Sequence, residues 1–128
     1  MADWETVREL ALTFPEVKGT SSGRVAFSVH GKGFAWEARE RDGGGLAVRV
    51  HRDEKELILE SDPDVYFTSP HYTGFPAVQI RVEAIEREEL HARLEDAWHP
   101  GAEEARRQLR RREQLATSRS RRMPRSPR

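Results

Sequence analysis

Residues 24–37 constrain the fold more than any other stretch, because they have the pattern of two β-strands joined by a tight turn. Apolar and polar side chains alternate from Val25 to Val29, which is the period of a strand with one buried face. A second alternating run begins at Phe34, and we place Trp36 on the same face as Phe34. Glycines flank Lys32 between the runs, and glycine adopts the positive φ angles of two-residue turns without a Cβ clash. The stretch therefore predicts a β-hairpin with Lys32 at its exposed tip.

Two further alternating runs, residues 46–50 and 77–82, predict a third and a fourth strand. The third strand follows the hairpin after a short glycine-rich turn, so the first three strands should form an antiparallel meander. Residues 16–23 have the composition of a loop. Residues 66–76 hold four aromatic rings, two prolines and a glycine, which predicts an irregular loop held together by its rings.

Three helices are predicted where apolar side chains recur every three or four residues. The first runs from an Asp3 N-cap to about residue 14, and the second covers residues 52–61 with Asp53 as its cap. The third covers residues 86–99 and should end at Pro100, since proline cannot donate a helical hydrogen bond. The sequence thus predicts an α+β fold, a small antiparallel sheet of a meander plus a further strand with helices packed on one face.

The formal net charge of zero conceals a strong asymmetry along the chain. Residues 101–128 hold ten Arg and three Glu, a net charge of +7, and residues 1–100 carry the compensating −7. We divide the chain into an α+β domain, residues 1–100, and an Arg-rich extension, residues 101–128. Good helix formers predict an extra basic helix over residues 102–115, and the Arg, Ser and Pro content of residues 117–128 predicts disorder. Such asymmetry can indicate contact with nucleic acid or another polyanion, and it can equally indicate an extension that packs on its own domain or stays solvated.

No motif in the sequence supports catalysis. The chain has no Cys, no pair of His with metal-site spacing, no Ser in a nucleophile elbow and no phosphate-binding glycine loop. We therefore expect a non-enzymatic protein without catalytic residues, metal or cofactor. No apolar run is long enough to span a membrane and no signal-peptide pattern is present, so we expect a cytoplasmic protein without membrane contact.

Two kinds of surface are candidates for binding. Arg39, Arg49 and Arg81 should lie on the polar face of the sheet, where they can contact phosphates together with the basic extension. The candidate nucleic-acid contacts are Lys32, Arg39, Arg49, Arg81, Arg106, Arg107, Arg110 and Arg111. The alternative is a surface for a protein partner or a small molecule, formed by Trp36, His71 and Tyr72 around the aromatic loop. Each group also has a structural interpretation, since turn lysines and helical arginines are often only solvated and His71 can fix its loop by bonding a backbone group.

Four pieces of the chain, in the same order, resemble the MmcQ/YjbR family. They are Phe14-Pro15-Glu16-Val17, Ala26-Phe27 with Gly31-Lys32-Gly33-Phe34-Ala35-Trp36, Pro70-His71-Tyr72, and Glu89-Leu90 with Ala97-Trp98. The resemblance covers about residues 1–99 and leaves out the Arg-rich extension. It implies a compact fold described as CyaY-like, which agrees with the patterns above. It also implies a relation to double-wing DNA-binding domains, so that DNA becomes the expected partner, bound through the basic tail and the polar sheet face.

The resemblance supplies no catalytic residues. The CyaY-like fold is also that of frataxin-type iron-binding proteins, which use an acidic ridge on the first helix. Here the first helix offers only Asp3, Glu5 and Glu9, which is too sparse for that function, so no metal is expected.

Overall fold

The structure is a computed structural model that describes residues 1–20 and 23–122. Its strands are β1 (Val17–Gly19), β2 (Ala26–Val29), β3 (Lys32–Glu37), β4 (Leu46–Arg49), β5 (Tyr66–Phe67) and β6 (Ala77–Ile80), and its helices are α1 (Trp4–Ala11), α2 (Lys55–Ser61) and α3 (Arg87–Arg122). The described strands form one sheet in the order β1-β2-β3-β4-β6-β5, and every neighbouring pair is antiparallel. The predicted α+β fold with a small antiparallel sheet is confirmed.

The sheet is wider than the sequence predicted, because β1 and β5 lie where loops were expected. Both loop predictions are wrong at these residues. β1 pairs with β2 through Val17 and Val29, and β5 pairs with β6 through Tyr66 and Ile80. Each of the two is an edge strand of two or three residues, which is too short for an alternating pattern to show in the sequence.

The predicted β2–β3 hairpin is confirmed. Its two turn residues are His30 and Gly31, with φ angles of 51° and 82°, whereas the glycine pattern favoured Gly31 and Lys32, one residue later. Positive φ at both positions is the feature of the turn type whose twist matches that of paired strands. Lys32 follows as the first residue of β3 and is exposed at the tip.

A β-bulge in this hairpin decides which side chains face the core. Phe27 pairs with Ala35, whereas the next residue of β2 pairs with Gly33, so Phe34 is the extra residue of the bulge. Both Phe34 and Ala35 join the main hydrophobic core, and Trp36 lies in a separate cluster on the other side of the sheet. The prediction that Trp36 shares a face with Phe34 is therefore wrong, since the bulge shifts the alternation by one residue.

The three helices contribute to a single core on one face of the sheet, here called the helix face. The predicted apolar stripes are buried. The first is Val7, Leu10 and Ala11 of α1 with Phe14, which follows the end of that helix, and the second is Leu90, Leu94, Ala97 and Trp98 of α3. Trp98 stacks on Phe14 with ring centroids 5.4 Å apart, and its Nε1 donates to the Pro15 carbonyl at 3.1 Å. The Asp3 cap is confirmed, because its Oδ1 accepts the Thr6 N–H at 2.8 Å.

The start of the second helix differs from its prediction. A short 3₁₀ turn, Arg52–Glu54, precedes α2, and His51 accepts the N–H of Asp53. Asp53 therefore does not cap the α-helix, and the N-cap position is Glu54, which makes no side-chain capping bond.

The helix α3 is continuous over 36 residues, so the predicted helix end at His99-Pro100-Gly101 is wrong. Pro100 is exposed inside the helix, and the turn that follows it packs on the hairpin. A Cβ on Gly101 would lie 2.8 Å from Val29 Cγ1, so only glycine allows this close approach. Ala102 is buried, and Glu104 forms an ion pair with Lys32. These contacts stabilise the helix across the proline.

Beyond Glu104 the helix leaves the sheet, and its side chains from Arg107 to Leu115 are exposed. The helix α3 extends through Arg122, into the segment for which the composition predicted disorder. Residues 123–128, the rest of the predicted disordered tail, lie outside the described residues. The predicted domain boundary after residue 100 falls inside α3.

Candidate functional site

The face of the sheet opposite the helices, here called the helix-free face, carries a small cluster of apolar side chains. Ala47 and Ala77 from the strands are fully buried beneath Tyr72, which comes from the loop between β5 and β6. Trp36 packs against this cluster and donates its Nε1–H to the Tyr72 hydroxyl at 2.9 Å. The two predicted aromatic contacts, Trp36 and Tyr72, are therefore direct neighbours although they are far apart in the chain.

The loop that carries Tyr72 is fixed by a lysine from α2. The Lys55 ammonium donates to the carbonyl oxygens of Tyr72 at 2.5 Å and Phe75 at 2.8 Å. Partial burial, and then the positive charge of Arg52, lowers the pKa of Lys55 below its usual value. No sequence pattern indicates this role, because it depends on backbone carbonyls about twenty residues further along the chain.

Two predicted arginines lie over aromatic rings on this face. The Arg49 guanidinium lies 5.8 Å from the Trp36 ring centroid and 5.4 Å from that of Phe75, and its Nε donates to the Gly33 carbonyl at 2.6 Å. The Arg81 guanidinium lies 4.2 Å from the Phe67 ring centroid. Cation–π contacts orient a guanidinium without neutralising its charge. Both side chains are exposed, so they present oriented positive charge to solvent.

A pocket of about 420 Å³ opens on the helix-free face beside Trp36 and Tyr72, and we call it the arginine pocket. It brings together four of the predicted site residues, which the sequence had assigned to two different surfaces, and it adds Arg24 and Arg41. Its lining residues are Arg24, Val25, Ala26, Trp36, Glu37, Arg39, Arg41, Asp42, His71 and Tyr72. In residues 1–20 and 23–122, none of its three arginine side chains forms a salt bridge. The pocket therefore combines aromatic walls with available positive charge.

Two carboxylates also line the arginine pocket. One Glu37 oxygen accepts the Val25 N–H at 3.1 Å, which leaves its other oxygen to accept a further bond. Asp42 belongs to the turn that carries Arg41, and both residues line the pocket. The exposed His71 ring contacts Tyr72 edge to face, with centroids 4.8 Å apart. The pocket can thus accept as well as donate hydrogen bonds.

A buried glutamine positions the turn with Arg39 and Arg41. The Gln79 side chain is fully buried, and its Nε2 donates to the carbonyl oxygens of Asp42 and Gly44, each at 2.8 Å. This amide ties the turn after β3 to the centre of the sheet. Gln79 Oε1 and Ser69 Oγ are buried without a hydrogen-bond partner among the described residues.

A second concavity of about 990 Å³, the hairpin groove, lies between the β2–β3 hairpin, the β4–α2 connection and α3. Arg93 lines it, and its Nε donates to the Tyr66 hydroxyl at 2.9 Å while that hydroxyl donates to Glu89. Burial, and then the bond to Glu89, raises the pKa of Tyr66 to about 12. Tyr66 is only 2 % exposed, so this hydrogen-bond network lies at the edge of the hydrophobic core. Arg93 therefore has a structural role in it.

The remaining predicted contacts occupy different surroundings. The Lys32 ammonium is paired with Glu104, so its charge is neutralised locally. Arg107, Arg110 and Arg111 are exposed on the part of α3 that projects from the domain. The side chain of Arg106 lies outside the described part of the chain.

Two classes of site find no support in the described ranges. Residues 1–20 and 23–122 hold no cluster of three His, Cys, Asp or Glu side chains arranged to bind a metal ion. None of the helices formed by the described residues combines the length and the apolar character needed to cross a lipid bilayer.

The charges of residues 1–100 are segregated between the two sides of the sheet. Up to residue 99, the three helices hold eight Asp or Glu and four Lys or Arg, so the helix side is acidic. Six arginines lie on or beside the helix-free face, and two carboxylates, Glu37 and Asp42, lie among them in the arginine pocket; the arginines are Arg24, Arg39, Arg41, Arg49, Arg52 and Arg81. The net charge of −7, summed over residues 1–100, therefore has the opposite sign to the charge of the helix-free face.

Comparison with known proteins places the chain in a family without assigning it an activity. The YjbR family model matches residues 12–99. Uncharacterized proteins of Mycobacterium tuberculosis (strains H37Rv and CDC 1551) and Mycobacterium bovis are 41% identical over 54 residues, which are 41% of this chain and 42% of each relative. The matched segment thus spans less than half of these relatives. No solved structure matches the chain. Since the family model covers most of the domain, including both segments that form the arginine pocket, the chain belongs to the YjbR family.

Proposed function

We propose that this protein binds nucleic acid on the helix-free face of its sheet, with the arginines of the extension as further phosphate contacts. The observation that carries the proposal is the segregation of charge, with exposed arginines on this face and acidic helices behind it. Phosphate contacts supply most of the sequence-independent affinity for nucleic acid. A positively charged face on a protein of zero net charge orients the molecule toward a polyanion.

The geometry of the arginines supports this proposal. Arg49 and Arg81 are oriented by the aromatic rings beneath them and form no salt bridge in the described part of the chain. A guanidinium that is already oriented loses less side-chain entropy when it bonds a phosphate in fork geometry. Lys32 is not part of the proposed surface, because its ammonium is paired with Glu104.

The arginines of the extension enlarge the proposed nucleic-acid-binding surface. From residue 105 to Arg122 the helix projects for roughly 27 Å, at about 1.5 Å per residue. Residues 101–122 hold eight Arg and three Glu. A basic helix of this length can contact the phosphates of a nucleic-acid strand that is bound to the helix-free face of the sheet.

We propose binding without catalysis, in the cytoplasm, as the sequence predicted. Within the described residues, no Ser, Thr or Cys lines the arginine pocket or the hairpin groove, which supports binding without nucleophilic catalysis. The alternative of a protein-binding aromatic loop has less support, because Tyr72 is buried and only Phe75, at 38 % exposure, presents a large apolar ring of that loop to solvent.

The test is the salt dependence of binding to a labelled oligonucleotide, measured by fluorescence anisotropy on the full chain. Each phosphate contact contributes about 0.7 to 0.9 to the slope of log K against log salt concentration. The triple variant R39Q/R49Q/R81Q should therefore lower the slope by about 2. The variant R107Q/R110Q/R111Q should lower it by a similar amount if the extension contacts the phosphates of the bound oligonucleotide. Substitution is preferable to truncation after residue 100, because Ala102 and Glu104 pack on the hairpin.

The matched control is R8Q/R87Q, which removes positive charge from the helix side. Arg87 pairs with Glu9 at 2.9 Å and both are exposed, so the cost to stability should be at most about 1 kcal/mol. Equal losses of slope per arginine removed, in the two-arginine control and in the three-arginine sheet variant, would contradict the proposal, because binding would then depend on net charge and not on a surface. Absence of binding at low salt would contradict it outright.

A further inference from the structure

We propose that the arginine pocket is a site for a single nucleotide unit, with the base against its aromatic walls and the phosphate on its arginines. The unit is a free nucleoside monophosphate or an unpaired nucleotide of a strand. For the strand-bound form this inference rests on the proposed function, whereas the free nucleotide tests the pocket on its own.

The size and the walls of the pocket fit a base. Its volume of about 420 Å³ falls within the roughly 300–1,000 Å³ of small-molecule sites, near the lower end. The half-buried Trp36 and the exposed ring of His71 supply aromatic surface, and Tyr72, which is buried, contacts both rings. Stacking on such rings is the usual way in which proteins hold an unpaired base, and it tolerates any base because each has a π-face. Lys55 fixes the loop of His71 and Tyr72, so the walls are preorganised.

The cations of the pocket fit a phosphate. Arg24, Arg39 and Arg41 come from the start of β2 and from the turn after β3, and they converge on one cavity. Their side chains have no hydrogen-bond acceptor and no salt-bridge partner among the described residues. Guanidinium groups bond phosphate oxygens in pairs, with shorter and stronger bonds than neutral donors make. Gln79 anchors the turn that carries two of the three arginines.

The acceptors of the pocket distinguish a nucleotide from a simple anion. Glu37 and Asp42 weaken the binding of any anion, but they can accept bonds from the amino group or ring N–H of a base, which a dicarboxylate or inorganic phosphate lacks. The Tyr72 hydroxyl accepts from Trp36 Nε1 and so keeps its own hydrogen for donation. A nucleotide has an anion, donors and an aromatic plane, and the pocket has a partner for each.

This arrangement predicts a preference for unpaired nucleotides over duplex. In a duplex the bases are stacked and their Watson–Crick edges are paired, so extracting one costs a few kcal/mol, whereas a single strand or an end exposes its bases at little cost.

The experiment titrates the four nucleoside 5′-monophosphates, the nucleosides and inorganic phosphate into the full chain, followed by ¹H–¹⁵N NMR. At least one monophosphate should bind more tightly than its nucleoside and than inorganic phosphate, by about tenfold or more, because one charge-assisted bond corresponds to at least that factor. Arg41→Gln and His71→Ala should each weaken it by about fivefold or more. Both residues are exposed, so neither variant should impair folding, and Tyr72→Phe tests the hydroxyl donor separately.

The control is Arg87→Gln, which removes the same charge as Arg41→Gln on the helix side and should leave the affinity unchanged. The inference is overturned if monophosphates bind no better than inorganic phosphate, or if Arg41→Gln and Arg87→Gln have equal effects. A second arm compares a single-stranded oligonucleotide of about twelve nucleotides with its duplex. If the single-stranded oligonucleotide and the duplex both bind but no monophosphate does, the inference fails while the proposed function stands. If a monophosphate binds in the pocket but no strand binds, the inference stands for the free nucleotide and the proposed function fails.

Discussion

Replacing Pro100 by alanine should stabilise this protein, because the proline lies inside a continuous helix. A proline in a helix interior is about 3 kcal/mol less favourable than alanine, since it donates no hydrogen bond and its ring clashes with the carbonyl four residues before it. The change also frees the unfolded chain, which costs about 0.4 to 1 kcal/mol. The free energy of unfolding of Pro100→Ala should therefore rise by about 2 kcal/mol.

Urea unfolding followed by tryptophan fluorescence measures this change, because Trp98 lies two residues before the proline and stacks on Phe14. For a chain of this length, 1 kcal/mol corresponds to about 4 °C in Tm, so the melting temperature should rise by about 8 °C. Pro63→Ala is the matched control. Pro63 is exposed in the turn after α2, outside any helix, so only the entropy effect applies and the variant should lose up to about 1 kcal/mol.

A neutral or destabilising Pro100→Ala would refute the reasoning. It would mean that the helix ends at His99, as the sequence predicted, and that the turn carrying Ala102 and Glu104 is not helical in solution. The same result would remove the geometric basis for a rigid basic extension, because the direction of residues 105–122 depends on helical continuity through Pro100.

Two further changes test the packing around the site. Gly45→Ala should lower the free energy of unfolding by at least about 2 kcal/mol, because the φ of Gly45 is 78° and a Cβ would lie 2.6 Å from the Ile80 carbonyl oxygen. The control Gly44→Ala, at a φ of 68° with nothing within 4 Å of the added Cβ, should lower it by only about 1 kcal/mol. Equal losses for the two variants in urea unfolding would rule out the steric explanation. Tyr66 should ionise near pH 12, above its ordinary value of 10.0, so its contribution to stability is fully present below pH 10 and is lost as the pH rises toward 12. Near-ultraviolet absorbance titration and the pH dependence of unfolding measure both effects, and a Tyr66→Phe variant whose unfolding keeps the wild-type pH dependence would exclude Tyr66 as the cause.

Side-chain periodicity was sufficient to predict the centre of the fold. The alternating runs gave β2, β3, β4 and β6, and the stripes ending at Phe14 and Trp98 gave the buried sides of α1 and α3. These elements are long enough for a period of two or 3.6 residues to repeat. β1 and β5 have too few residues for any period, so their pairing depends on neighbours that the local sequence does not reveal.

The candidate site was only partly predictable. Trp36, His71 and Tyr72 were identified from their residue types, and Arg39 from its predicted place on the polar face of the sheet. That these four line one cavity follows from contacts between segments more than thirty residues apart. The roles of Lys55 and Gln79 carry no sequence signature, because both bond backbone carbonyls whose positions are set by the tertiary fold.

One extra residue in β3 links the fold to the proposed site. Without the bulge at Phe34, the alternation that places Phe34 in the core would place Trp36 there as well. With it, Trp36 lies on the helix-free face, where its partner in β4 is the small side chain of Ala47. That small neighbour leaves room for the Trp36 ring to reach the Tyr72 hydroxyl and for Arg49 to lie over it. The bulge therefore gives one face of a short strand to the core and the other to an aromatic surface, and β-bulges are commonly found where a side chain must be redirected toward a functional site.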